Sequence, residues 1–139
     1  ISHSGLMAAY DLQKGRRLWQ KEIGGIESPW VAGDYIFLLT NDIEITAISR
    51  NSGRIYWVRS LPRYEDPKDQ EDPIIWTGPI LVSDRLIVAG SHGKAIAVSP
   101  YTGRILGSVK LPDGVSVPPV VAAGSIYFLS DDAELVAYR

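Results

Sequence analysis

The chain has 139 residues, 45% of them hydrophobic, with 14 Lys and Arg against 16 Asp and Glu, a formal net charge of −2 and no Cys. This slightly acidic balance, with basic residues scattered along the chain, argues against nucleic acid or another polyanion as partner, and the lack of Cys excludes disulfides and thiolate metal sites. No apolar run has the length needed to cross a bilayer, and a chain of this size can bury about two-thirds of its unfolded surface in one compact unit.

Residues 1–23 read as the back half of a strand module. Ser2-His3-Ser4-Gly5 forms a turn that falls on Gly90-Ser91-His92-Gly93 further along, Ala9-Tyr10 marks a strand, Gly15 a turn, and 16–22 an outer strand carrying Trp19. A full module follows at 29–61. Its first strand, 29–32, opens on Pro29 at a position where no ladder donor is needed. Gly33-Asp34 turns the chain into 35–39, a continuously apolar run expected of a strand covered on both faces. Asn41-Asp42 leads to a third strand at 45–49 with small Ala47 at its centre, and Asn51-Ser52-Gly53-Arg54 to an outer strand ending at Ser60, with Trp57 on it.

Residues 62–76 form a long loop between modules. The second full module spans 79–111, with strands at 79–82, 86–89, 95–99 and 104–110, and turns at Ser83-Asp84, Ser91-His92-Gly93 and Tyr101-Thr102-Gly103-Arg104. Residues 119–139 supply three strands of a last module: 119–122, 126–129 and 135–139, turned at Gly124-Ser125 and Asp131-Asp132. Gly53 and Gly103 each lie 24 positions after their prolines, Pro29 and Pro79. Gly15, Trp19, Gly53, Trp57 and Gly103 are therefore structural repeat positions, whereas Gly107 stands where a third tryptophan would be.

Repetition at fixed offsets means one supersecondary unit copied side by side, because a single small sheet cannot bury both faces alone. Four-stranded antiparallel units of this length predict an all-β fold, a partial β-propeller. A β-sandwich would also supply short strands but has no reason to repeat Pro, Gly and Trp in register. Charges at Arg17, Lys21, Arg59 and Lys110 on the outer strands protect open edges from unwanted pairing.

The search for reactive groups points to turns. His3 and His92 occupy nearly equivalent turns without acidic ligands at metal spacing, Ser91-His92 lacks any nucleophile elbow or oxyanion hole, and Asp131-Asp132 matches Asn41-Asp42 and Ser91-His92 in the sister copies. No catalytic residue, cofactor-binding residue or metal ligand is assigned. The 62–76 segment departs from module logic, with five acids, two bases and bracketing prolines. Arg63, Tyr64, Glu65, Asp66, Asp69 and Trp76 are its candidate partner-binding residues, since long connections on rigid scaffolds display recognition groups and Tyr, Trp and Arg serve as anchors.

The stretch Tyr10-Asp11-Leu12-Gln13-Lys14-Gly15-Arg16-Arg17-Leu18-Trp19 resembles the quinoprotein-like repeat A-x-D-x-x-x-G-x-x-x-W. Over its whole length, including the ending Asp131-Asp132-Ala133-Glu134-Leu135-Val136-Ala137-Tyr138-Arg139, the chain is similar to the C-terminal part of the BamB family of outer-membrane assembly lipoproteins. The resemblance implies a non-catalytic scaffold at the periplasmic face of the Gram-negative outer membrane, anchored only by a lipid outside this chain. It further implies binding to the BamA periplasmic domains, association with other subunits of the assembly machinery, and help in delivering unfolded outer-membrane proteins. Family members form eight-bladed rings, so the chain reads as part of a longer protein. Either the N-terminal strand pair folds back beside the last module or two chains share blades, open edges allowing self-association. The BamA-contacting loops would lie in blades preceding Ile1, and no contact residue is carried over. No cofactor is expected; quinone-dependent dehydrogenases share the repeat and are the enzyme alternative, and a quinoprotein-type propeller binding a quinone cofactor or another small ligand in its central channel is the alternative function.

Overall fold

The computed structural model describes residues 1–139, an all-β chain of fifteen strands without a helix. β1 (Met7–Tyr10) and β2 (Arg17–Lys21) form a two-stranded sheet. β3 (Trp30–Ala32), β4 (Tyr35–Leu39), β5 (Glu44–Ser49) and β6 (Ile55–Ser60) form the first four-stranded sheet in sequential order. After the β7 (Tyr64–Asp66) and β8 (Glu71–Pro73) hairpin, β9 (Trp76–Val82), β10 (Arg85–Gly90), β11 (Lys94–Val98) and β12 (Ile105–Lys110) form the second. β13 (Val120–Ala122), β14 (Ser125–Leu129) and β15 (Leu135–Tyr138) close the chain as a three-stranded sheet. All pairings are antiparallel, and the sheets stack side by side as propeller blades.

The apolar runs are continuous because a blade has neighbours on both faces. On β10, Leu86 and Val88 join Phe37, Leu39 and Ala47 in the core between the two four-stranded sheets, while Ile87 and Ala89 face the other way, toward Phe128 of the last sheet. β4 divides likewise: Phe37 and Leu39 point into that same core between the two four-stranded sheets, and Ile36 and Leu38 pack with Met7 and Trp19 of the N-terminal pair. Period-two geometry thus sends alternate residues of one strand into two separate cores.

Each outer-strand tryptophan sits on a glycine of the next sheet. An added Cβ at Gly53 would lie 2.8 Å from Trp19 ring carbons, and one at Gly103 would collide with the Trp57 ring. Both glycines have a φ of 73°, the left-handed region that a Cβ disfavours, so turn geometry and indole packing demand the same residue. The indole N–H groups complete the joint, Trp19 Nε1 donating to the Arg50 carbonyl at 2.8 Å and Trp57 Nε1 to the Pro100 carbonyl at 2.9 Å. Arg59 adds a third bond across the same seam, from Nε to the Gly103 carbonyl at 2.6 Å.

The small residues have a local explanation. Ala9 lies opposite Trp19, Ala47 opposite Trp57 and Ala97 opposite Gly107, and in every copy the register slips by one immediately afterwards. A bulge at this point turns the outer strand and re-aims the residue that follows. In the two sheets that carry a tryptophan, alanine leaves the cross-strand space to the indole.

Three expectations need correction. Pro79 does not open its strand: β9 begins at Trp76, and Gly78-Pro79 together oppose Val88 in a bulge, where a missing N–H is tolerated. The turn of the last sheet is Ala123-Gly124, with Ser125 already in β14. The N-terminal pair does not fold back beside β15 but remains a separate two-stranded sheet packed on its neighbour in sequence.

Gly53→Ala should lower the free energy of unfolding by about 2 kcal/mol or more, summing a left-handed backbone penalty and a displaced indole. Ala133→Gly, at an exposed turn position with a φ of 68°, should raise it, by about 1 kcal/mol. Urea titration of each variant checks both signs.

Candidate functional site

The 62–76 segment is a stapled hairpin rather than a structureless loop. Tyr64 pairs with Pro73 and Asp66 with Glu71, and the Asp66 carboxylate accepts the Lys68 and Asp69 amides at 3.0 and 3.3 Å, closing the turn. At the base, Ile74 N donates to the Arg63 carbonyl at 2.9 Å, Trp76 Nε1 to the Pro62 carbonyl at 2.7 Å, and Arg63 Nη2 to the Asp42 carbonyl at 2.7 Å. The first two close the base of the hairpin on itself, and the third joins it to the turn between β4 and β5.

The six candidate residues therefore separate. Glu65, Asp66 and Asp69 are exposed on the arm, Arg63 is exposed but engaged with Asp42, and Tyr64 is half-buried. Trp76 is only 3% exposed and belongs to the core beside Leu86 and Val88, so it is not available to a partner and serves as a structural residue. What remains is an acidic arm on a rigid base.

His92 lies under this arm. Its ring meets Trp76 edge-on at 4.9 Å and covers Gly90, where a side chain would collide with it. Nδ1 is buried without a hydrogen-bond partner. Burial, reinforced by Lys94, lowers the His92 pKa below its ordinary 6.5, and Glu65 opposes the shift. The other polar turns are tied into the backbone: Asn41 N, Ser91 N and Asp131 N donate to the Gly24, Ile75 and Gly114 carbonyls at 3.0, 2.9 and 2.8 Å. Ser130 donates to Asp132 as well. His, Asp and Glu side chains nowhere gather in threes as a metal cluster.

Sequence reasoning missed Glu27. From the link before β3 its carboxylate accepts the hydroxyl of fully buried Thr77 and, at 2.7 Å, the amide of Gly78, tying two blades near their first strands. The partners are fifty residues apart, beyond any local pattern. Where Gly107 replaces an indole, a groove of about 630 Å³ opens between β12 and the last sheet, lined by Ala95, Ala97, Phe128 and Tyr138.

Residues 1–59 match the family described as "Outer membrane protein assembly factor BamB". The BamB of Salmonella typhimurium is 25% identical over 138 residues, covering 99% of this chain and 33% of that protein. The chain thus spans about a third of the length of the curated relatives it matches. Among solved structures, BamB from Moraxella catarrhalis superposes with a TM-score of 0.75 at 21% identity, over 97% of this chain and 40% of that one. The quinohemoprotein alcohol dehydrogenase of Comamonas testosteroni shares the fold with a TM-score of 0.62 at 14% identity, over 79% of this chain and 19% of that one.

Because the folded pKa of His92 is depressed, the unfolded chain takes up the proton first as pH falls. The neutral ring's contribution is complete above 6.5 and is lost below it. His92→Gln should flatten the stability profile between about pH 7 and 5, read by urea unfolding at each pH. Glu27→Ala, which strands a buried hydroxyl and an amide, should cost about 1–3 kcal/mol in the same assay. By its N-terminal family signature, its near full-length alignment and its β-propeller fold, the chain resembles the BamB family of outer-membrane protein assembly factors.

Proposed function

We propose that this chain is part of a non-catalytic scaffold in outer-membrane protein assembly, acting from the periplasmic side, binding BamA and assisting the delivery or insertion of barrel proteins. The observation that carries the reading is similarity to BamB across nearly the whole chain, not in one motif. The layout of polar groups supports it: the histidines and acidic pairs are turn components, held by backbone bonds or by packing. A rigid stack of blades suits the task of holding a partner at a fixed distance, and the open outer strands β6 and β12, with exposed Tyr56, Val58, Leu106 and Val109, suit transient pairing with incoming β-segments.

The blades outside this stretch hold the main BamA contacts, while the acidic β7–β8 arm contributes a secondary one. In the complete protein, co-purification with BamA is the expected result, and its absence at low salt defeats the reading. Replacing 65–70 by a short Gly-Ser turn should preserve the unfolding midpoint and weaken BamA binding several-fold in calorimetry; unchanged affinity removes the arm from the interface.

A quinone-binding propeller is the second reading, favoured by the shared scaffold with the quinohemoprotein alcohol dehydrogenase. Titration of the complete protein with pyrroloquinoline quinone and Ca²⁺ separates the two. The scaffold reading predicts no saturable absorbance change and no turnover of alcohols.

A further inference from the structure

On the face opposite the acidic arm, a notch of about 210 Å³ opens at the seam between the two four-stranded sheets. Tyr35 and Phe37 wall it from one sheet; Leu81, Asp84 and Tyr101 wall it from the other. Tyr35 lies parallel to Phe37, with centroids 5.7 Å apart, and meets the tilted Tyr56 ring at 5.0 Å. Tyr101, 64% exposed, donates its hydroxyl to Asp84 Oδ1 at 2.9 Å, which leaves Oδ2 without a hydrogen bond. Arg85, the nearest cation in sequence, lines the groove on the other side of its sheet.

The notch is thus aromatic on its walls and anionic at its mouth, with no cation of its own. We infer that it receives the guanidinium of an arginine side chain presented by a partner protein. A carboxylate oxygen and phenol oxygens accept N–H donors, and the half-buried Tyr35 and exposed Tyr101 rings accept a weakly hydrated planar cation, with buried Phe37 only backing Tyr35; this combination selects arginine over lysine. Size points to a side chain rather than a free ligand, since small-molecule pockets usually have about 300–1,000 Å³. The Tyr101–Asp84 bond holds the carboxylate toward the notch and keeps the phenol protonated, its pKa raised by that bond.

The device is specific to this seam. Asp34 occupies the position of Asp84 in the preceding sheet, but Asn51 stands where Tyr101 would be, so the earlier seam lacks the aromatic lid. The pairing was not apparent from sequence because Asp84 and Tyr101 are 17 residues apart, on different turns.

The test is an NMR titration of the complete protein with N-acetyl-arginine amide, and in parallel with the lysine and citrulline analogues and with free arginine. Arginine amide should shift the Ser83, Asp84 and Tyr101 amides saturably, with the lysine analogue weaker and neutral citrulline silent. Asp84→Asn should weaken binding by about tenfold and Tyr101→Phe by a few-fold, with both variants keeping the wild-type unfolding midpoint. Equal binding of citrulline, or full binding by Asp84→Asn, overturns the site. Free arginine binding much tighter than its capped form overturns the protein side chain as its source. Neither result bears on co-purification with BamA, so the notch and the scaffold reading fail separately.

Discussion

An indole from one sheet resting on a glycine of the next is the contact on which the architecture depends. Trp57 meets Gly103 with its ring and the Pro100 carbonyl with its N–H, while Trp19 does the same with Gly53 and the Arg50 carbonyl. Burying an indole contributes heavily because the area is large, and the N–H needs a partner once water is excluded. Both requirements are met by one turn, whose left-handed glycine exposes a flat backbone surface and a free carbonyl side by side. The alanine opposite each tryptophan and the bulge beside it belong to the same joint, since one makes room for the ring and the other aims it.

Where the joint is absent, the packing changes. Gly107 leaves β12 without an anchor, all six of its residues are exposed, and a groove separates it from the last sheet. The seam between the four-stranded sheets, which has the indole, the Arg59 bond and the Glu27 tie, holds the largest core. Tying contacts are therefore concentrated in the middle of the chain, and the two surfaces proposed above to meet a partner, the acidic arm and the aromatic notch, are mounted on that seam. Fixed placement of recognition groups is what a scaffold requires, because ordering costs at the moment of binding are avoided.

Much of this was legible in the sequence for physical reasons. The runs at β4 and β10 are apolar without alternation, which only a strand with sheets on both sides explains. The offsets among Pro29, Gly53 and Trp57 repeat because the joint joins unlike positions of adjacent copies. Trp76 reads from the sequence as a loop residue because it ends a segment that breaks the module pattern, whereas its position in the ladder, opposite Gly90, places it inside. Pro79 was misread because a proline suggests a strand start, and a bulge opposite Val88 has no local signature. Glu27 with Thr77, and Asp84 with Tyr101, are products of the tertiary arrangement alone.

A double-mutant cycle between Trp57 and Gly103 tests the joint most directly. Trp57→Phe, Gly103→Ala and the double variant would be unfolded in urea, and the coupling energy taken from the three losses. If indole and glycine form one unit, the double variant should be more stable than the sum of single losses predicts, by about 1 kcal/mol or more. Losses that add to within about 0.3 kcal/mol would show that the two residues act independently, and would contradict the account.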